Sequence, residues 1–363
     1  VKILAIHHID DTNPDVESAI DIWRIWRPLE ELKKHVDWQI DSQPTVVKDI
    51  EKYGTPEDFQ QRGIEDAGRY LGQYDIVFTS YFPDPNSFAL LHAVNKRFGT
   101  KFIIDQDDDL YNVDPENPFW IAAGYDGALN LQKMAQLAPY LCTTTEPLAK
   151  KLSEHSKVNA KVFTIPNYIA DSYKHDPIDN GDKIVIGYFG GASHYHDLHE
   201  TGMLPALEKI MHKYKNVYFV SVGQPIDHYL PSMRRSTIEP QKGRKWINNL
   251  FPSLNFDIAL GCLRDTTFAQ SKSNIKWQES IRMGAAFVAS NVGPYKSLKD
   301  GVALKVENDF DGWFNALEKV VTDVELRNTM VKNARKELLN WRLEDHWPEY
   351  QKMFETVHNN KEI

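Results

Sequence analysis

The chain has 363 residues, 42% hydrophobic and 26% charged, enough for about two domains with ordinary cores. A net charge of −9 argues against a general nucleic-acid coat protein, and no apolar run approaches the roughly 20 residues of a membrane span. Cys142 and Cys262 sit singly inside apolar runs and read as packed thiols of a reducing, cytoplasmic compartment, not as a disulfide framework.

VKILAI is too short, and too quickly followed by His and Asp, for a signal peptide; Lys2–Ile6 is expected as the first strand. A helix follows from Ile20 to Leu32, with Ile22, Ile25, Trp26 and Leu29 at helical spacing, and Val36–Ile40 is expected as the second strand. Strands are then expected at Tyr74–Thr79, Lys101–Asp105, Tyr140–Thr144 and Lys161–Ile165. Helices at Asp58–Leu71, Phe88–Phe98, Leu129–Leu137 and Leu148–His155 alternate with them. That alternation predicts a doubly wound α/β domain. The polar stretch 171–182 reads as a linker. A second α/β unit opens at Lys183–Phe189 and continues through the Leu204–Tyr214 helix, the strand Val217–Val222 and an Arg/Lys-rich loop. The run Ile258–Leu263, a helix from Ser273/Asn274 to Gly284, and Ala286–Ser290 form a βαβ unit. A short strand near Val302–Val306, helices from Trp313 to about Leu339, and an amphipathic stretch Trp341–His358 complete the chain.

Three constellations carry chemistry. The helix after Ser273 and Asn274, both good N-cap residues, presents amide N–H groups and the positive end of its dipole, which suits phosphate. Lys272 and Lys276 stand i, i+4 at its mouth, with Glu279 three residues further on. A solvated Lys/Glu face is the plainer alternative. Gly190-Gly191-Ala192-Ser193-His194 follows a strand directly, where glycines let a ligand approach the backbone; a simple turn is the alternative. His194 and His196, two apart, are poorly spaced for metal. Asp105-Gln106-Asp107-Asp108-Asp109 emerges at a strand's carboxyl end, where open α/β sheets place ligands. Adjacent carboxylates there raise at least one pKa and invite a cation or sugar hydroxyls, the alternative being a capping cluster.

KSNIKWQESIRMGAAFVASNVGPY resembles the donor-site segment of GT-B glycosyltransferases of the "glycosyl transferases group 1" type. The resemblance implies two Rossmann-like domains facing a cleft, with a final helix packing back on the first. It places an acceptor domain at 1–170, a linker at 171–182, a donor domain at 183–340 and the crossing helix at 341–363. Glu279 falls on the residue that binds the donor ribose. A second Glu, eight residues earlier in the family, is Ser271 here. By the same resemblance Gly190, Gly191, Ser193 and His194 form the glycine-rich loop facing the cleft. Gly223, ending Phe219-Val220-Ser221-Val222, precedes the loop that holds the base. Lys272, Ser273, Asn274 and Lys276 take the diphosphate, and Asp107, Asp108 and Asp109 line the cleft near the transferred sugar as catalytic candidates. Ile165-Pro166-Asn167 and the Cys142–Leu148 strand and turn match softer family features in the right order. Arg24 and Arg27, on the first helix, fall in the acceptor-facing region, with a Trp-in, Arg-out helix as the alternative.

The implied activity is sugar transfer from a nucleotide-diphosphate sugar, UDP- or GDP-linked, to an acceptor hydroxyl, with retention at the anomeric carbon. No cofactor is implied, and an Asp-x-Asp metal site is not expected, because this fold neutralises diphosphate with a helix end and basic residues. Three alternatives stand beside it: transfer to modified bases in DNA, a catalytically silent nucleotide-sugar-binding protein suggested by Ser271, and a nucleotide-sugar epimerase. Arg234, Arg235, Lys242, Arg244, Lys245 and Trp246 form the one basic-aromatic patch, read as a solvated loop or as a contact for a polyanionic acceptor.

Overall fold

The computed structural model describes residues 1–7, 20–43, 64–80, 85–114, 117, 125–172, 175, 179–191, 194–223, 226, 230–241 and 243–360. Two six-stranded sheets are formed, parallel at every pairing. The first contains β1 (Lys2–Ile6), β2 (Gln39–Gln43), β3 (Ile76–Ser80), β4 (Lys101–Asp105), β5 (Tyr140–Thr143) and β6 (Lys161–Thr164), in the order β2-β1-β3-β4-β5-β6. The second contains β7 (Ile184–Phe189), β8 (Val217–Val222), β9 (Arg235–Ile238), β10 (Ile258–Gly261), β11 (Ala286–Ser290) and β12 (Leu304–Val306), in the order β9-β8-β7-β10-β11-β12.

Parallel strands need crossovers, and the helices supplying them cover both sheet faces, so the strands are apolar on both sides. Leu4, Ile6, Val77, Phe102 and Ile104 enter one core. Their chain neighbours Ile3, Ala5, Ile76, Phe78 and Ile103 enter the core on the opposite face. The second sheet alternates likewise: Ala286 and Val288 point one way, Phe287 and Ala289 the other.

The final helix, Leu343–Asn359, covers the first sheet, not the second. Tyr350, Met353, Phe354 and Val357 are buried there, with Phe354 edge-on to Phe78 at 5.4 Å. Lys101 Nζ donates to the helix's last carbonyls, those of Val357 (2.8 Å) and His358 (2.9 Å). The return is pinned where the chain crosses between sheets: Ile169 N–H donates to Trp341 O at 3.0 Å, and Leu343 N–H to Ile169 O at 3.1 Å.

Two elements differ from expectation. The second strand lies at Gln39–Gln43, not Val36–Ile40: its register with β1 begins at Lys2↔Gln39, and Val36 and Trp38 pack on the core from the approach to it. The Arg/Lys-rich loop after β8 contains β9, paired parallel with β8, and helical turns over residues 243–253. Of the helix expected at Asp58–Leu71, Ile64–Leu71 is described and the remainder lies outside the described residues.

Candidate active site

In the second sheet the chain leaves the neighbouring strands β7 and β10 toward opposite edges, so their carboxyl ends open a crevice, the usual ligand position of such sheets. Gly190 and Gly191 follow β7. A Cβ at Gly191 would meet nothing within 4 Å among the described residues. Gly223 closes β8 with φ +88°, and a Cβ on it would stand 2.6 Å from Gly190 O, so conformation and close approach both require glycine. Ser193 lies outside the described residues. His194 Nδ1 meets Asp197 Oδ2 at 2.8 Å. Burial and the nearby Lys276 pull His194 down to about 4, so the ring is neutral at pH 7. Burial alone would raise Asp197, but the His194 bond and the Arg264 N–H outweigh it and hold the carboxylate ionised. The proton therefore sits on Nδ1, leaving Nε2 an acceptor.

The helix Ile275–Arg282 starts at Asn274, but neither expected N-cap side chain caps it. Asn274 Oδ1 accepts from Gln278 Nε2 (2.9 Å), and Ser273 Oγ accepts from Asn167 Nδ2 (2.8 Å). Neither of these two side chains therefore competes with an anion for the helix end. Lys276 is buried, its Nζ 3.3 Å from Tyr188 Oη and 4.4 Å from that ring's centre. Burial lowers its pKa to about 8. Lys272 faces the first half of the chain, with Nζ 3.0 Å from Asp108 Oδ1 and over the Phe268 ring. Burial opposes its charge, but Asp108 and Asp107 win and the pKa is raised. Glu279, also buried, accepts from Trp246 Nε1 at 2.9 Å, and Trp246 packs against Phe189.

The acidic segment after β4 divides its work. Asp105 is fully buried against Arg24. Asp107 is half-buried; burial and its neighbours Asp108 and Asp105 push it up to about 8, and its Oδ1 has no hydrogen-bond partner. Asp108 crosses to Lys272. Asp109 is fully buried, accepting from Lys151 Nζ (2.6 Å), Asn112 Nδ2 (2.9 Å) and Tyr111 N–H (3.2 Å). Asp107 and Asp108 thus reach the cleft, whereas Asp109 anchors the loop; its catalytic candidacy gives way to that burial. Among the described residues no group of three or more His, Cys, Asp or Glu is arranged to hold a metal ion.

Arg24 is not on an acceptor face. Its guanidinium has no solvent exposure and is held charged, because Asp105 outweighs the cost of burial. Arg27 is half-buried, donating to Ser172 Oγ at 2.7 Å. The basic patch is also dispersed. Arg234 donates to the carbonyls of Met211, Tyr214 and Val217, and Arg235 to that of Leu230. Arg244 lies over Trp26, and Lys242 falls outside the described residues.

Sequence reasoning missed residues that join the two halves. Lys151 Nζ reaches Ser271 Oγ (2.8 Å) and Thr267 O (2.7 Å), while Thr145 Oγ1 donates to Ser271 O (2.8 Å). Arg264, just past β10, bonds Asp114 of the first half and Glu200 of the second, both at 2.9 Å. Asp197 alone had a local signal, standing three residues after His194.

No protein-family model and no curated protein matches the sequence. Solved structures match along its whole length. Sucrose-phosphate synthase from Thermosynechococcus elongatus superposes with TM-score 0.65 at 13% identity, over 98% of this chain and 99% of its own. Anabaena HepE in complex with UDP-glucose gives 0.64 at 12%, over 99% and 100%. A Listeria monocytogenes protein assigned as a UDP-N-acetylglucosamine 2-epimerase gives 0.54 at 12%, over 98% and 96%. The fold is GT-B. The cleft of this GT-B chain lies between the carboxyl ends of β4 and β10, where Lys272 meets Asp108 and Arg264 meets Asp114. At such identities the likeness is one of fold, and the chemistry rests on the side chains.

Proposed function

We propose that the chain is a glycosyltransferase moving a sugar from a nucleotide-diphosphate sugar to an acceptor hydroxyl, with retention of anomeric configuration. The observation that carries this reading is Lys276 in the first turn of an uncapped helix, with Lys272 in the extended segment just before that helix start, beside the crevice of a GT-B cleft. HepE binds UDP-glucose in the same fold, which makes a UDP-sugar the first donor to try. The first sheet, residues 1–170, would present the acceptor; residues 183–340 would hold the donor, joined by 171–182 and clasped by 341–363. The two isolated, buried thiols favour a cytoplasmic setting.

In the reaction the bond from the anomeric carbon to the diphosphate breaks while an acceptor oxygen approaches the same carbon. The departing diphosphate gains negative charge, and preformed positive charge facing it lowers the barrier. Lys272, Lys276 and the Ile275–Arg282 N-terminus supply that charge. Lys276 binds its proton more firmly once phosphate arrives, so its lowered pKa is recovered as binding energy. When Lys272 turns to the diphosphate it releases Asp108, which then accepts from the acceptor hydroxyl. Asp107, protonated at neutral pH, donates to a sugar oxygen, and His194 Nε2 accepts from a sugar hydroxyl. Glu279, steadied by Trp246, accepts from the ribose.

One observation favours a second reading, donor binding without turnover. Ser271 stands where a sugar-contacting Glu would be, its hydroxyl held by Lys151 and its carbonyl by Thr145. The test is release of UDP from UDP-glucose, with and without candidate acceptors, for wild type and Lys272→Ala. Turnover that collapses about 100-fold in the variant at unchanged Tm supports transfer. Tight UDP binding with no turnover on any acceptor favours the silent protein, and no binding of any nucleoside diphosphate removes both.

A further inference from the structure

We infer that Arg24 and Asn167 are positioning residues that hold the donor helix in register with the acidic segment across the two halves of the chain. The inference rests on the donor reading of Ile275–Arg282 and adds residues that touch neither donor nor acceptor.

Arg24 lies on the π-wound turn Asp21–Trp26, which leads into the helix Arg27–Leu32, and its side chain is completely enclosed. Its Nε and Nη2 bond Asp105 at 3.0 and 2.9 Å. Its Nη1 reaches Ile165 O (2.6 Å), Pro166 O (3.3 Å) and Asn167 Oδ1 (3.2 Å). A buried ion pair is weak grounds for stability, since well-packed apolar groups usually do as well. What the rigid guanidinium fork adds is direction. It ties the end of β4 to residues 165–167, where the chain leaves the first sheet.

The polarity of the next link follows from donor and acceptor chemistry. Arginine only donates, so Asn167 must present Oδ1 to it, and its Nδ2 therefore faces the other way. That amide donates to Ser273 Oγ at 2.8 Å. The carbonyl of Asn167 accepts from Gln278 Nε2 at 2.7 Å, and the same amide group of Gln278 holds Asn274 Oδ1 at 2.9 Å. Gln278 is fully buried, so these bonds are shielded from water. Ser273 lies next to Lys272, and Asn274 starts the helix that carries Lys276 and Glu279. Asp105 lies two residues before Asp107. A continuous chain of bonds, buried except at its part-buried last link to Ser273, thus runs from the acidic segment, through one guanidinium and one amide, to the residues that would grip the diphosphate.

Ser273→Ala removes one acceptor with little change of volume, and Asn167→Ala breaks the link more fully. Amide hydrogen exchange on the ligand-free protein is read first. Residues 277–281 should exchange roughly 10-fold faster in Ser273→Ala, and more in Asn167→Ala, while 286–290 keep their protection and Tm moves by only about 2 °C in Ser273→Ala. Turnover of UDP-glucose should fall about 5- to 10-fold in kcat, with a smaller change in KM, because misaligned charge costs more in the transition state than in the ground state. In a Lys272→Ala background that loss should largely vanish, since the residues act through the lysine. Unchanged exchange over 277–281 in both variants overturns the inference, as does a kcat loss fully additive with Lys272→Ala. If the wild type binds no nucleoside diphosphate, the donor reading fails and takes the positioning role with it, whereas normal wild-type binding with unaltered variants sinks the positioning role alone.

Discussion

The acidic segment after β4 and the helix after β10 both read, in sequence, as charged runs beyond buried strands, but they use their charges differently. In the acidic segment the four carboxylates have four fates: Asp105 is enclosed with Arg24, Asp109 with Lys151, Asp108 crosses the cleft to Lys272, and Asp107 keeps an oxygen without a partner. Around the start of the helix after β10, Lys272 is paired with a carboxylate, Lys276 is set against aromatic rings and Glu279 is held by an indole. A charged run is therefore not a unit. Each turn of an irregular loop points a side chain to a different neighbour, whereas helical spacing keeps Lys276 and Glu279, i and i+3, on one face, with Lys272 in the extended segment before them.

The sharpest way to break that contrast is on the donor side. Lys276→Ala removes a charge that is already desolvated and so aimed at a ligand without further cost of burial. Turnover of UDP-glucose should fall 10²- to 10³-fold, with UDP affinity falling in parallel and the fold intact by circular dichroism. A loss under 3-fold would place Lys276 in the core instead of the site. Glu279→Ala comes next. UDP should bind about 10- to 100-fold more weakly, since charge-assisted hydrogen bonds contribute about 1.5–3 kcal/mol. A thermal-shift titration with UDP, GDP, ADP, CDP and dTDP reads this directly: one diphosphate should stabilise the wild type and fail on the variant.

Much of the fold was legible because its strands are uninterrupted apolar runs alternating with amphipathic helices. β9 was not, because Arg235-Ser-Thr-Ile is a short edge strand with no apolar run of its own. β2 was displaced in the reading because Val36 and Trp38 are apolar for packing reasons before the strand begins. In the site, Lys276 and Glu279 were visible through helical spacing; Lys272, expected one turn before Lys276, instead precedes the helix in extended conformation. Arg264 and Lys151 were invisible, and Asn167 was visible only as part of Ile165-Pro166-Asn167 with no role, because each matters through a partner brought up by tertiary structure: Asp114 lies 150 residues from Arg264, and Ser271 120 from Lys151. Arg24 fits neither the acceptor-facing role that the resemblance implied nor the Trp-in, Arg-out alternative, because Trp23, Arg24 and Ile25 are all buried.

On the acidic side the effects are smaller and of mixed sign, which is what distinguishes the two regions. Asp108 competes with phosphate for Lys272. Asp108→Asn should therefore tighten UDP binding about 2- to 5-fold, the scale of a partly exposed ion pair. Turnover should fall at least about 10-fold if Asp108 serves the acceptor. Tighter binding with full turnover would leave Asp108 a mere placeholder for phosphate, and weaker binding would contradict the competition.

Asp107 offers the finest test, through pH. Its pKa is raised from the ordinary carboxylate range to about 8, by burial and by Asp108 and Asp105. Between about pH 4 and 8 the folded chain keeps a proton that the unfolded chain has released, so stability must fall as pH rises through that window. His194 works in the opposite sense, its pKa lowered to about 4, but its contribution is complete once pH passes the ordinary histidine range near 6.5. Lys276, lowered to about 8, makes stability rise again only above that value. From pH 6.5 to 8 Asp107 is the one of these three groups that titrates; Asp105, also raised by burial, acts in the same sense, so the comparison with the variant assigns the slope. Wild-type Tm should drop there by about 1–3 °C, the half-buried carboxyl being partly screened by solvent, and Asp107→Asn should flatten the drop. An equal slope in the variant would mean that Asp107 is already ionised at neutral pH, and would remove it as the donor to a sugar oxygen while leaving the lysine pair untouched.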